Sequence, residues 1–162
     1  YESHTGSALD SLWAALAHGA LLGGKRVRPV LALEACRAHG EPLETALGLA
    51  VALELVHAQS LVFDDLPCMD DDALRRGQPT VHVAFDEATA VLAGNALLGM
   101  AFGVLVRDTP GAVDREALLA AVDDLSATAS LQGLVNGQYA DMVGDRGTCD
   151  AEGLDYIHRN KT

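Results

Sequence analysis

Apolar positions recur at helical spacing along almost the whole chain, and the alternation expected of strands is absent throughout. Leu9, Leu12, Trp13, Leu16, Leu21 and Leu22 predict a first helix over residues 8–22. Gly23-Gly24 breaks it. Pro29 suits the first turn of a second helix, which runs to about His39 and stops at Gly40 and Pro42. A long apolar run that includes Leu47, Leu53, Val56, Leu61 and Val62 predicts a third helix from Glu44 to Asp64. After the turn chemistry of Gly77-Gln78-Pro79-Thr80, the pattern resumes near Val83 and reads as one helix to Arg107. Thr109-Pro110-Gly111 is the next break, and a further helix is predicted from Asp114 to about Met142. A loop over 144–150 and a short helix over 151–160 complete the reading. No repeat, linker or domain boundary is visible, so the pattern predicts a single all-α domain over 1–162.

The polar residues of the third helix and the segment after it change the picture. Asp64, Asp65, Asp70, Asp71 and Asp72 place five carboxylates within nine positions, at the helix end where the macrodipole is already negative. Crowded carboxylates at that end imply a bound cation, and all-oxygen ligands point to a hard one such as Mg²⁺. Mg²⁺ on one or two carboxylates completes its shell with water and substrate phosphate. Arg75-Arg76 supplies positive charge for the same phosphate. His57 and Ser60 lie seven and four residues before Asp64, so all three share a helix face. On that spacing His57 is either a satisfied core histidine or part of the site. An EF-hand is excluded, because counting from Asp70 the fifth position is Leu74 and the sixth Arg75. No phosphate loop, GxGxxG or GxSxG pattern is present.

Net charge narrows the partners. At -12 the chain has no general excess of cations for a nucleic-acid backbone, so no nucleic acid is expected. Five of its eleven basic residues, Lys25, Arg26, Arg28, Arg75 and Arg76, fall in two short clusters, which suits anion binding at defined points. Three cysteines, Cys36, Cys68 and Cys149, form no CxxC pair, so a reducing cytoplasm is expected. Residues 88–106 carry no charge and approach the length of a membrane span. With Asn95 inside and Ala, Gly and Leu dominant, they read as a buried helix rather than a membrane-spanning one.

Gly23-Gly24-Lys25-Arg26-Val27-Arg28-Pro29 and Asp64-Asp65-Leu66-Pro67-Cys68-Met69-Asp70, extended through Leu74-Arg75-Arg76-Gly77, resemble two signature regions of trans-isoprenyl diphosphate synthases. Glu54-Leu55-Val56-His57, Gly77-Gln78-Pro79-Thr80, Gly94-Asn95-Ala96-Leu97, Gly137-Gln138 and Lys161-Thr162 match in family order. Two extra residues in the first aspartate-rich motif are similar to the bacterial and plastid branch, which makes farnesyl or geranylgeranyl diphosphate.

The resemblance implies an isoprenoid synthase-type bundle of antiparallel helices around a central apolar cavity, usually a homodimer. It implies Asp64 and Asp70 as Mg²⁺ ligands gripping an allylic diphosphate, with Asp65 supporting. Arg75, Lys161 and Thr162 would contact that diphosphate, while Lys25, Arg28, His57 and Arg76 would bind isopentenyl diphosphate. Arg26 is expected to be structural or part of the wider field, and Asp71 and Asp72 to be solvated neighbours that strengthen that field. In the family, a large aromatic four or five residues before the first Asp shortens the product. Gln59 and Ser60 stand there, so geranylgeranyl diphosphate is expected ahead of farnesyl diphosphate. A non-catalytic regulatory subunit of the same fold is the alternative. Family members carry a second aspartate-rich motif and about twice this length, so the 162 residues are expected to be the N-terminal part of a longer enzyme, incomplete at both ends.

Overall fold

In the computed structural model, residues 7–144 and 150–161 are described, and they fall into two compact units divided between Val113 and Asp114. The first holds α1 (Ser7–Leu21), α2 (Val27–Ala38), α3 (Glu44–Asp64), a ribbon of β1 (Leu74–Arg75) and β2 (Gln78–Pro79), α4 (Val81–Ala84) and α5 (Glu87–Arg107). The second holds α6 (Arg115–Ala129), α7 (Leu134–Val143) and α8 (Ala151–Lys161). The architecture is all-α apart from the two-residue strands.

Three features, two helix breaks and one strand pairing, depart from the pattern in the sequence. The helix expected from Val83 to Arg107 is two helices, because Asp86 adopts an extended backbone and caps α5. Its Oδ1 accepts from the Thr89 N–H at 2.8 Å, and its Oδ2 from the Thr89 hydroxyl at 2.7 Å. A capping side chain of this kind satisfies a donor that the helix cannot, and outweighs continuity of the apolar pattern. The helix expected from Asp114 to Met142 is likewise split, with an extended Ser130 ending α6 and Gly133 preceding α7. Strand pairing, expected to be absent, occurs once among the described residues, as Leu74 opposite Pro79 and Arg75 opposite Gln78. Arg76 and Gly77, at φ of 54° and 78°, form the left-handed two-residue connection that matches strand twist.

The core of the first unit lies beneath the end of α3. Ala15 and Leu16 of α1, Ala58 and Val62 of α3, Val81 of α4, and Ala90, Ala93 and Leu97 of α5 are buried together. Leu66 joins this cluster and Met69 packs against it, so the apolar residues between the two groups of aspartates plug their loop into the core. α3 meets α5 through small side chains. The buried face of α3 is Gly48, Ala50, Ala52, Val56, Ala58 and Val62, while the larger Leu47 and Val51 are exposed. Small residues at the contact allow the short end of the roughly 8–10 Å spacing usual for packed helices. Both α3 and α5 are long and apolar enough to cross a membrane by length and composition, a test that core helices also pass. α5 is covered along Ala90, Ala93, Gly94, Leu97, Ala101 and Leu105 and exposes Leu92 and Val106, so one face of it, rather than all of it, is buried.

Candidate functional site

The acidic loop is built by a backbone bond that the sequence does not display. The Asp70 N–H donates to the Asp64 carbonyl at 2.8 Å, and the Asp71 N–H, from a left-handed residue, donates to the Leu66 carbonyl at 3.1 Å. The loop therefore closes on itself and returns Asp70 to the end of α3, beside Asp64. Asp70 is exposed and Asp64 partly so. Among the described residues no three His, Cys, Asp or Glu side chains gather into a ready-made metal cage. Two carboxylates on a closed loop suit an ion that takes most of its ligands from water and phosphate, and Mg²⁺ is of that kind.

Asp65 faces the other way. It is buried, and its Oδ1 accepts from Arg75 Nε at 2.8 Å and Nη2 at 2.5 Å. Arg75 Nη2 also reaches Asp72 Oδ2 at 3.1 Å. Asp72, expected to be a solvated neighbour, is thus half of an ion pair. The hydrogen bond to Asp65 holds the Arg75 guanidinium above its ordinary value against the opposing effect of burial, and the charges of Asp65, Asp72 and Asp64 add to it. Asp65 acts here on Arg75.

The two arginines of the ribbon diverge. Arg75 turns to the acidic loop, and Arg76 donates to the Gly23 carbonyl. Gly24, at φ of 122°, lies under the Arg76 guanidinium so closely that a Cβ there would stand 2.7 Å from its Cζ. The backbone angle favours glycine, and a side chain there would also displace the Arg76 guanidinium from this position. Around this point lies a cavity of about 560 Å³ lined by Leu22, Gly24, Lys25, Arg26, Val27, Arg28, Glu54, His57 and Arg76. Lys25, Arg28, His57 and Arg76, from three separate stretches of the chain, are thereby brought together.

Arg26 lines the same cavity but is engaged elsewhere. From a left-handed backbone it donates to Glu54 and to the Ala20 carbonyl, so it braces the loop, as expected of a structural residue. In the sequence Glu54 stands only as part of the Glu54-Leu55-Val56-His57 motif. Its position three residues before His57, on one helix face, was the signal that it shares the cavity. Burial first, and then the charge of Arg28, lower the pKa of His57, with Glu54 opposing and Arg76 and Arg26 adding. These surroundings disfavour the imidazolium, and an anion held by the same residues would oppose that effect.

Gln59 and Ser60 are half-buried on α3, and the Ser60 hydroxyl donates to the His57 carbonyl at 2.9 Å. Phe63 packs against Gly94 of α5. In the second unit Lys161 Nζ donates to Asp141 Oδ2 at 2.6 Å, a partner that the sequence did not suggest. Gly137 lets α8 approach α7 closely enough for this pair, and the adjacent Gln138 has a buried amide without a hydrogen-bond partner. Thr162, expected beside Lys161, lies outside the described residues.

Comparison with known proteins places the chain in a family. The polyprenyl synthetase family model matches residues 10–162. A farnesyl diphosphate synthase of Haemophilus influenzae is 45% identical over 161 residues, covering 99% of this chain and 52% of that protein. A chloroplastic geranylgeranyl pyrophosphate synthase of Capsicum annuum is 45% identical over 149 residues, covering 91% of this chain and 40% of that protein. The crystal structure of a geranyltransferase from Legionella pneumophila superposes with a TM-score of 0.90 at 37% identity, over 94% of this chain and 54% of that one. The chain spans about half the length of the curated relatives it matches. With its antiparallel helices, its acidic loop and its paired arginines, the chain belongs to the polyprenyl synthetase family.

Proposed function

We propose that the full protein condenses isopentenyl diphosphate with an allylic diphosphate, with Mg²⁺ as cofactor. The observation that carries this reading is the divergence of Arg75 and Arg76. One short ribbon serves the acidic loop on one side and a cationic cavity on the other, so two diphosphates can be held next to each other. Head-to-tail joining of two diphosphate esters needs that arrangement. Asp64 and Asp70 would hold the metal, and the metal supplies charge neutralisation for the departing diphosphate. Arg75, fixed by Asp65, presents its guanidinium to the allylic diphosphate. Lys25, Arg28, His57 and Arg76 bind the second diphosphate and orient its double bond toward the developing allylic cation. Lys161 and Thr162 are assigned to the allylic diphosphate by family resemblance. We also read the protein as a cytoplasmic homodimer, a reading consistent with the free thiols of Cys36 and Cys68 and testable by sedimentation.

Calorimetric titration of the full-length protein with a non-hydrolysable allylic diphosphate analogue, with and without EDTA, is the test. Affinity should fall at least tenfold in EDTA, and Asp64→Ala should abolish the difference. Equal affinity in both conditions would defeat the metal assignment.

Product length has two readings. The absence of an aromatic at Gln59 and Ser60 supports geranylgeranyl diphosphate. The Haemophilus influenzae relative and one from Bacillus subtilis, 42% identical over 153 residues, are both named farnesyl diphosphate synthases, which favours farnesyl diphosphate as the product to seek first. Chain-length analysis of the products separates them. A Gln59→Tyr variant should yield a shorter product if this face of α3 borders the growing chain, and an unshortened product would place the stop elsewhere.

A further inference from the structure

Neither His18 nor Thr80 has a role in the reading above, yet both hold the ribbon that presents the two arginines. Strands of two residues each cannot maintain their own position in water. Their placement depends on external holds. Thr80 is 1% exposed, one of the most deeply buried polar residues described. Its hydroxyl donates to the Asp72 carbonyl at 2.8 Å, and its N–H donates to the Ala73 carbonyl at 3.1 Å, closing the base of the ribbon. From α1, His18 Nε2 lies 2.7 Å from the Pro79 carbonyl. A carbonyl only accepts, so Nε2 carries the proton. The same ring meets Phe85 edge-on, with centroids 5.8 Å apart. Gly19 follows, where a Cβ would come within 2.9 Å of Val62, so α1 is pressed against α3 and His18 has a rigid base. At the far end of the ribbon Arg76 donates to Gly23, in the loop that leaves α1. The helix that carries His18 and the loop that receives Arg76 are therefore one continuous stretch of chain, and the ribbon is held to it at both ends.

We infer that His18 is a positioning residue for the cationic cavity. Its bond to the Pro79 carbonyl, with the Thr80 lock on Asp72, sets where the Arg76 guanidinium stands. This rests on the cavity being an anion site. His18 is not among the residues that line the cavity, so its removal acts there only through Arg76.

The test is a double-mutant cycle on the full-length protein. Affinity for inorganic pyrophosphate is measured by calorimetry in EDTA, which isolates the metal-independent cavity. His18→Ala should weaken binding roughly fivefold, the value of one neutral hydrogen bond. His18→Gln, whose amide can still donate to Pro79, should stay within about twofold of wild type on the same reasoning. Thr80→Val should behave like His18→Ala, and Thr80→Ser like wild type. In an Arg76→Ala background, His18→Ala should cause no further loss, because residues acting through one another are not additive. Wild-type affinity in His18→Ala, or fully additive losses, would overturn the inference while leaving the cavity reading intact. Unchanged affinity in Arg76→Ala would overturn the cavity reading and this inference with it.

Discussion

Gly94 of α5 lies against the last turn of α3. A methyl group placed on it would stand 2.8 Å from Phe63 Cζ and 2.9 Å from Cδ1, with Cε1 closer still. Ordinary carbon contacts lie near 3.5–4.0 Å, so the overlap approaches ~1 Å on three ring atoms. Phe63 directly precedes Asp64, and its ring lies between α3 and α5. Two opposing terms follow for Gly94→Ala. Replacing glycine in a helix interior contributes about 0.8–1 kcal/mol of stability. Overpacking a fitted contact costs about 1–3 kcal/mol. The ring is only half-buried and can yield, so the expected net is a loss of about 1 kcal/mol, near the middle of that range once propensity is subtracted. Urea unfolding should show this as a lower midpoint at unchanged slope. In a Phe63→Ala background the clash is gone, and the same change should become stabilising by roughly 1 kcal/mol, so the two sites couple by about 2 kcal/mol. Because a displaced Phe63 carries Asp64 with it, Gly94→Ala should also weaken Mg²⁺-dependent ligand binding. A stabilising effect in both backgrounds, with binding unchanged, would refute the contact.

Two further outcomes can be measured. His57 has a pKa lowered from its ordinary 6.5, first by burial and then by Arg28. In the interval just below 6.5 the unfolded chain binds more protons than the folded one, so stability rises with pH there. His57→Gln should flatten the acid side of the urea midpoint against pH, and an identical slope would count against the shift. In the second unit, a methyl on Gly137 would stand 2.6 Å from the Asn160 carbonyl carbon and 2.8 Å from Lys161 Cα. Backbone cannot rotate aside as a ring can, so Gly137→Ala should cost about 3 kcal/mol, the upper part of the overpacking range. Hydrogen exchange in α8 should accelerate accordingly, and unchanged protection would show that the two helices do not touch at this point.

The sequence by itself determined the elements whose signals are local. The helices α1, α2, α3 and α8 were legible because apolar spacing and glycine or proline breaks act over a few residues. The aspartates and the two basic clusters were legible because like charges are seldom crowded without a counter-ion. Two boundaries were not. Asp86 and the 130–133 break interrupt runs that stay apolar on both sides, and only the backbone angles reveal the cap. The buried face of α3 was also hidden, since close helix approach selects glycine and alanine, which carry little hydropathy contrast. Partnership was decided by tertiary structure alone. Nothing local to Asp65 shows that it binds Arg75 rather than acting with Asp70, because that depends on the ribbon folding back across the loop. The same holds for Arg26 with Glu54 and Lys161 with Asp141, each pair at least twenty residues apart. Charge type and spacing can nominate a residue for a site. Which carboxylate a guanidinium meets is fixed by chain crossings that no short window of sequence contains.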